Sequence, residues 1–169
     1  MNKWYVLHVK TGNEHDTTRW IKKFLPNTRF LVPQRELKER HNGKWETVVK
    51  DVFPSYVFIN VEMDVNNYYK LTSIPYLIRI LGNDKTPEAV PESEMELVFM
   101  LAGVEGSPLS ISNVLVEGTK IEVVSGPLIG FAGKVIKIEP RRFRAKVLIS
   151  LMGEDRIIEL GINVVKKIN

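Results

Sequence analysis

The chain has no cysteine anywhere in its 169 residues. That one absence excludes a disulfide framework, thiolate zinc sites, iron–sulfur clusters and a thiol nucleophile. Histidine is scarce too: His8, His15 and His41 are scattered, and no HExxH or comparable metal spacing occurs. No serine sits in a G-x-S-x-G elbow, and neither a P-loop nor a dinucleotide-type glycine pattern is present. A binding protein without metal or cofactor is therefore expected, not an enzyme. The apolar runs fall far short of the roughly 20 residues of a membrane helix. Met1 to Lys10 also lacks the apolar core and cleavage site of a secretory signal. A soluble, cytoplasmic, monomeric protein with no membrane partner is the expectation.

What is present is ordinary globular composition, with 44% apolar and 26% charged residues, in a length that suits one medium domain or two small ones. The formal net charge of +4 is unevenly spread. Residues 1–60 carry 11 Lys/Arg against 6 Asp/Glu, residues 61–105 carry 3 against 8, and residues 106–169 carry 10 against 6. Two basic regions thus flank an acidic one. Such a pattern is either a solvated surface or a pair of phosphate-facing regions around an acidic one.

Lys3 to Val9 is aromatic and β-branched, as a buried strand should be. A helix is expected over Glu14 to Leu25, with Thr17, Trp20, Ile21 and Phe24 inward and Arg19, Lys22 and Lys23 on another face. Pro26 stops it. A strand near Arg29 to Val32 precedes a hairpin centred on Asn42-Gly43, a pair that tolerates positive φ in a type I′ turn. The flanks of that hairpin, Glu36–His41 and Lys44–Val52, are so charged that it should project into solvent. Phe53 to Ile59 reads as a central strand, Asn66–Ser73 as a helix and Leu77–Leu81 as a strand. Ser93 and Glu96 form a capping box for a helix ending at Gly103.

From Glu105 the texture changes to a Ser-, Gly- and Pro-containing linker (residues 105–113). Beyond it come short strands with glycine corners, expected at Thr119–Val124, Lys134–Glu139, Phe143–Ser150 and Arg156–Leu160. They suggest a small, strongly curved five-stranded barrel. Two domains are expected, residues 1–104 and 114–169.

Two groups of residues stand out. Tyr56 and Phe58 are two apart and emerge on one face of their strand. With Trp4, Tyr5 and Phe53 they are many rings for so small a domain, and they either fill its core or line a pocket for a partner's helix tip. In the barrel, Arg142, Arg144 and Lys146 alternate with Phe143, Ala145 and Val147, placing three cations on one outward face. Arg141, Lys134 and Lys137 add to it. That face is either ordinary solvated barrel or a phosphate-contacting surface suited to RNA.

The stretches WYVLHVKTGNE (Trp4–Glu14), FPSYVFI (Phe53–Ile59) and IPYLIRILGND (Ile74–Asp84) resemble the amino-terminal domain of bacterial NusG transcription elongation factors. VVSGPLIGFAGKVIKIEPRRFRAKVLISLMG (Val123–Gly153) resembles their carboxy-terminal KOW domain. The resemblance implies an α+β protein: an NGN-type α/β sandwich, with an antiparallel sheet and flanking helices, linked to a five-stranded, SH3-like KOW barrel. It implies binding to the β′ clamp helices of RNA polymerase through His8, Tyr56, Phe58 and Leu81. It further implies a basic surface beside upstream DNA at Lys10, Arg19, Lys22 and Lys23. The KOW loop at Leu128, Ile129 and Phe131 corresponds to the family's contact with Rho or the ribosome.

Three departures, together with the charged hairpin RELKERHNGKW (Arg35–Trp45), resemble a specialised paralogue of the LoaP type, an antiterminator recruited by an RNA hairpin in a leader transcript. Ser55 stands where housekeeping members carry the glycine of FPGY, and Leu128 stands where an aromatic commonly follows Gly-Pro. The Arg141–Lys146 cluster is also unusually basic. On that resemblance the nucleic-acid-binding residues are Lys10, Arg19, Lys22, Lys23, Lys134, Lys137, Arg141, Arg142, Arg144 and Lys146. Val65-Asn66-Asn67 replaces the His-Thr-Thr triplet of the RfaH paralogues. The alternatives are a housekeeping factor linking polymerase to Rho and the ribosome, and a ribosome-associated KOW module.

Overall fold

The computed structural model describes residues 1–83, 85–103 and 107–166. In chain order it contains β1 (Lys3–Val9), α1 (Glu14–Phe24), β2 (Arg29–Leu31), β3 (Gln34–His41), β4 (Lys44–Asp51) and β5 (Tyr56–Val61). Then come α2 (Val65–Thr72), β6 (Leu77–Ile80), β7 (Gly82–Asn83), β8 (Thr86–Pro87) and α3 (Glu92–Ala102). The last strands are β9 (Ser112–Glu117), β10 (Lys120–Ser125), β11 (Val135–Glu139), β12 (Arg144–Leu151) and β13 (Glu154–Val165). They form two compact units, Met1–Val32 with Phe53–Glu96, and Pro33–Val52 with Leu97–Asn169. Helix α3 starts at Glu92, so Ser93 lies inside its first turn, not at the cap; Gly103, at φ 64°, follows its end.

The first unit is built on an antiparallel sheet in the order β2-β5-β1-β6. Alternation along β1 and β5 sends Tyr5, Leu7, Val9, Val57, Ile59 and Val61 to one face. There they meet Ile21 and Leu25 at α1 and Leu71 of α2. Thr17 and Ile21 are fully buried, with Trp20 and Phe24 packed beside the core, as the helical spacing requires. Asp64 caps α2 by accepting from the Asn67 amide at 2.7 Å.

A buried carboxylate fixes the loop between β1 and α1. Glu14 accepts from the Gly12 amide at 3.0 and 3.1 Å and from the Ser55 amide at 2.9 Å. Burial alone would push this carboxyl up. The amides of Gly12, Glu14 and Ser55, with His15 nearby, outweigh that and hold it below its usual range. Ser55 itself sits at φ 75°, a left-handed conformation natural to glycine. Its hydroxyl is paired with Thr11, and its carbonyl accepts from the Val9 amide. Because the Glu14 pKa is depressed on folding, its stabilisation is complete above the unfolded value of about 4.3 and disappears as the pH falls through the folded value. Glu14→Gln should cost about 1–3 kcal/mol at neutral pH, since its amide brings donors to face donors. It should also flatten the loss of stability on acidification. Urea unfolding at pH 7 and pH 3 checks this, and an unchanged pH dependence would refute it.

The second unit holds a five-stranded barrel-like sheet in the order β10-β9-β13-β12-β11, with β13 and β9 parallel and the other pairs antiparallel. Ala145, Val147, Ile149 and Leu151 of β12 alternate inward with Ile158, Leu160 and Ile162 of β13. Against β13 lies the hairpin β3–β4, whose turn has positive φ at both Asn42 (51°) and Gly43 (80°). The expectation that this hairpin projects freely into solvent is overturned. Leu37 is buried, the Arg35 guanidinium donates to the Glu159 carbonyl at 2.9 Å, and the Arg144 guanidinium donates to the Lys38 carbonyl at 2.6 Å. Charged strands can lie on a barrel because these cations bond backbone carbonyls, so few polar groups are left unpaired.

Of the expected linker, Glu105 and Gly106 lie outside the described residues, and Leu109 is buried. Leu109 pairs with β3 through its N–H to the Gln34 carbonyl (2.8 Å) and Glu36 N–H to the Leu109 carbonyl (2.9 Å). The close approach of β13 to β3 depends on Gly161: a Cβ there would fall 2.5 Å from the Glu36 carbonyl oxygen. Gly161→Ala should therefore lower stability by about 1–3 kcal/mol and speed amide exchange along β3. Wild-type exchange at Glu36 and Lys38 would count against this packing.

Candidate functional site

Strand register brings the four residues expected to touch polymerase onto one face of the first unit. His8 lies opposite Tyr56, and Val6 lies opposite Phe58. The Leu81 amide donates to the Val6 carbonyl at 2.9 Å, which continues the row to the residue just after β6. The His8 and Tyr56 rings stack with centroids 5.2 Å apart, and both are half-buried. Phe58 and Leu81, however, are buried, and Phe58 packs edge-on to Phe53 at 5.3 Å. The accessible part of this group is the His8–Tyr56 pair, while Phe58 is a core ring beneath it.

The basic residues of α1 divide between two places. Arg19 and Lys23 line a cleft of about 310 Å³ with Asp16, Trp20 and Tyr76. Arg19 pairs with Asp16 at 3.2 Å, and the Lys23 ammonium sits 5.1 Å from the Trp20 ring centre. The Lys10 amide donates to the Tyr76 carbonyl at 2.9 Å, which holds the backbone of this exposed residue against that of Tyr76. Lys22 faces elsewhere, 5.5 Å from the Phe30 ring centre.

In the second unit the expected row of three outward cations is broken. Arg144 is only 8% exposed. Besides the Lys38 carbonyl, its guanidinium reaches Glu159 at 3.5 Å and Glu39 at 3.9 Å. It holds the hairpin to the barrel and is not open to phosphate, because β3 covers that part of the face. Phe143 also departs from the expected inward row. It precedes β12 in a left-handed conformation (φ 56°) and meets Trp45 edge-to-face at 4.8 Å and the Lys38 ammonium at 4.6 Å.

The remaining cations form a strip. Lys134 and Arg141 are exposed in turns flanking β11, and Arg142 is exposed in the same 3₁₀ turn as Arg141. Lys137 of β11 lies opposite Lys146 of β12, which places like charges face to face. Glu139 relieves this repulsion: its carboxylate lies 2.9 Å from Arg142, 3.3 Å from Lys146 and 3.9 Å from Lys137. The Arg142 hydrogen bond chiefly holds its carboxyl below the usual range, with Lys146 and Lys137 assisting against partial burial.

The loop expected to meet a KOW partner is mostly interior. In the 3₁₀ turn Pro127–Phe131, Leu128 and Phe131 are buried, because positions three apart eclipse each other in that helix and both turn into the barrel. The Leu128 amide donates to the Ser112 hydroxyl at 2.9 Å. Ile129, 53% exposed, is the outward residue of the three.

The charged hairpin stood out in the sequence, but Lys38, Arg40 and Trp45, which it brings to the basic side of the barrel, were not expected among the binding residues. The signal was legible: with the turn at Asn42-Gly43, register places Arg40 directly across from Trp45. Among the described residues no cluster of His, Asp or Glu could hold a metal ion, and no helix is long and apolar enough to cross a membrane.

Comparison with known proteins gives one answer. The family model for transcription termination factor NusG matches residues 2–99. The transcription termination/antitermination protein NusG of Rickettsia felis is 32% identical over 99% of this chain and 91% of its own length. That of Bacillus subtilis is 26% identical over 98% of both. A solved structure, described as domain interaction in Thermotoga maritima NusG, is similar at a TM-score of 0.63 and 27% identity, covering 95% of this chain and 94% of that one. The α+β fold expected from the sequence is the fold of that structure. A four-stranded antiparallel sheet with helices against it, a five-stranded barrel and full-length relatives of one kind make this chain a member of the NusG family of transcription termination/antitermination factors.

Proposed function

We propose that the chain binds RNA polymerase through the His8–Tyr56 face of its first unit and nascent RNA through the β11–β12 strip of its second. Binding energy, not chemistry, then biases polymerase away from its paused state. The observation that carries the RNA reading is the strip itself: Lys137, Arg142 and Lys146 gather round one carboxylate, Glu139, and Lys134 and Arg141 are exposed in the turns flanking the same strand. Such an excess of positive charge on a sheet edge suits phosphate, and arginine adds forked hydrogen bonding. Lys10, Arg19 and Lys23 of the first unit are assigned to upstream DNA, and Lys22, beside Phe30, is left out of that surface. In this reading residues 1–104 serve polymerase, 105–113 connect, and 114–169 serve RNA, with the 33–52 hairpin contributing to the RNA side.

The finer part of the proposal is recruitment to particular operons by a leader hairpin, supported by Ser55, by Leu128 and by the density of the strip. The relatives' names favour a second reading, a general NusG factor acting at many transcripts and linking polymerase to Rho or the ribosome through Ile129. Selection from an RNA-hairpin library on the full-length protein, with duplex DNA as competitor at near-physiological salt, separates the two. Enrichment of one stem-loop family supports hairpin recruitment. Weak, salt-sensitive binding without enrichment returns the chain to the general class.

A further inference from the structure

Beside the strip, the hairpin and the barrel enclose a cleft of about 260 Å³ lined by Lys38, Glu39, Arg40, Trp45, Arg142 and Arg144. All six belong to the second unit. We infer that this cleft receives a single unpaired, amino-bearing nucleobase extruded from an RNA loop, a role that rests on the RNA reading of the strip and specifies what that surface recognises.

The size is right for a base and little more, since clefts for whole small ligands begin at roughly 300 Å³. Trp45 supplies a ring to stack on, with 43% of its surface exposed. Its indole is braced edge-on by Phe143, so a stacking base meets a surface already held in place. Arg40, exposed and opposite Trp45 across the hairpin, brings a flat guanidinium to the same side. Arg142 joins the cleft to the strip, so the phosphates flanking an extruded base fall on the cations already described.

Glu39 decides between an RNA base and a purely anionic occupant. A phosphopeptide or acidic peptide gains nothing from this carboxylate, whereas an amino-bearing base donates N–H groups to it. Its charge is secured by Lys50 at 2.8 Å, with His41 at 3.4 Å and Arg144 at 3.9 Å. Lys50 chiefly lowers its pKa, against partial burial, so it is an acceptor at neutral pH.

The test uses the full chain, labelled with ¹⁵N, and three RNAs: one stem closed by a six-adenosine loop, the same stem closed by a six-uridine loop, and the stem as a blunt duplex. The Trp45 indole resonance is assigned with Trp45→Phe. It should shift with the adenosine loop, less with the uridine loop, and not with the duplex. Affinity for the adenosine loop should exceed that for the duplex about tenfold. Trp45→Ala and Arg40→Gln should each bring it down to the duplex level, while Trp45→Phe retains most of the preference. Arg40 is exposed, so its replacement keeps the test valid if Trp45→Ala unfolds. Equal affinity of the wild type for loop and duplex, or a loop preference that survives both substitutions, would overturn the base site and leave the strip standing. Failure to bind any of the three RNAs would overturn both.

Discussion

Phe58→Ala should lower the stability of the chain by about 3–5 kcal/mol, the usual cost of deleting a buried phenylalanine. Phe58 has no exposed surface, pairs across the sheet with Val6 and packs edge-on to Phe53. Tyr56→Ala should behave differently, because Tyr56 is half-buried and its ring stacks on His8. Losing that stack costs about 0.5–1.5 kcal/mol, whereas polymerase affinity should fall about tenfold or more. Denaturant unfolding and a polymerase pull-down on the same two variants separate the roles. Wild-type polymerase affinity in folded Tyr56→Ala would remove the His8–Tyr56 face from the proposal. A cost below about 1 kcal/mol for Phe58→Ala would mean that its ring does not support the sheet.

The joint replacement of Lys137, Arg141, Arg142 and Lys146 by glutamine should weaken RNA binding about a hundredfold at physiological salt. The reason is counterion release: each lost phosphate contact lowers the slope of log affinity against log salt by roughly 0.7–0.9. Four contacts would lower it by about 3. Arg144→Gln is the informative contrast. Its guanidinium is buried against the Lys38 carbonyl, Glu39 and Glu159, so its loss should act first on stability and leave the salt slope nearly intact. Titrations of one RNA hairpin at several salt concentrations, with thermal unfolding alongside, decide the matter. A fourfold variant with the wild-type slope would move the RNA surface elsewhere, most directly to Lys10, Arg19 and Lys23.

Local pattern already held much of this protein. The 3.6-residue period of α1, the alternation in β1, β5 and β12, and the Asn42-Gly43 turn each arise from neighbours a few residues apart. So does the shared face of Tyr56 and Phe58. Those features place the sheet, the helix against it and the barrel without reference to anything distant, and the family motifs run along the same stretches.

Depth was a different matter, because burial is set by what lies across from a residue and not by its own neighbours in sequence. Parity puts Arg144 and Lys146 on one face, but only the fold shows that Lys38 and Glu39, more than a hundred residues earlier, cover the first and leave the second half-open. The same holds for Leu128 and Phe131, which a short 3₁₀ turn carries inward while Ile129 stays out. Glu139 could be any surface carboxylate until strand pairing sets Lys137 opposite Lys146 and Arg142 turns back toward it. The sequence by itself determined the elements, their order and the excess of positive charge. The tertiary structure alone decided which cations remain open to a phosphate, because long-range packing consumes some of them as internal hydrogen-bond donors and leaves the others in water.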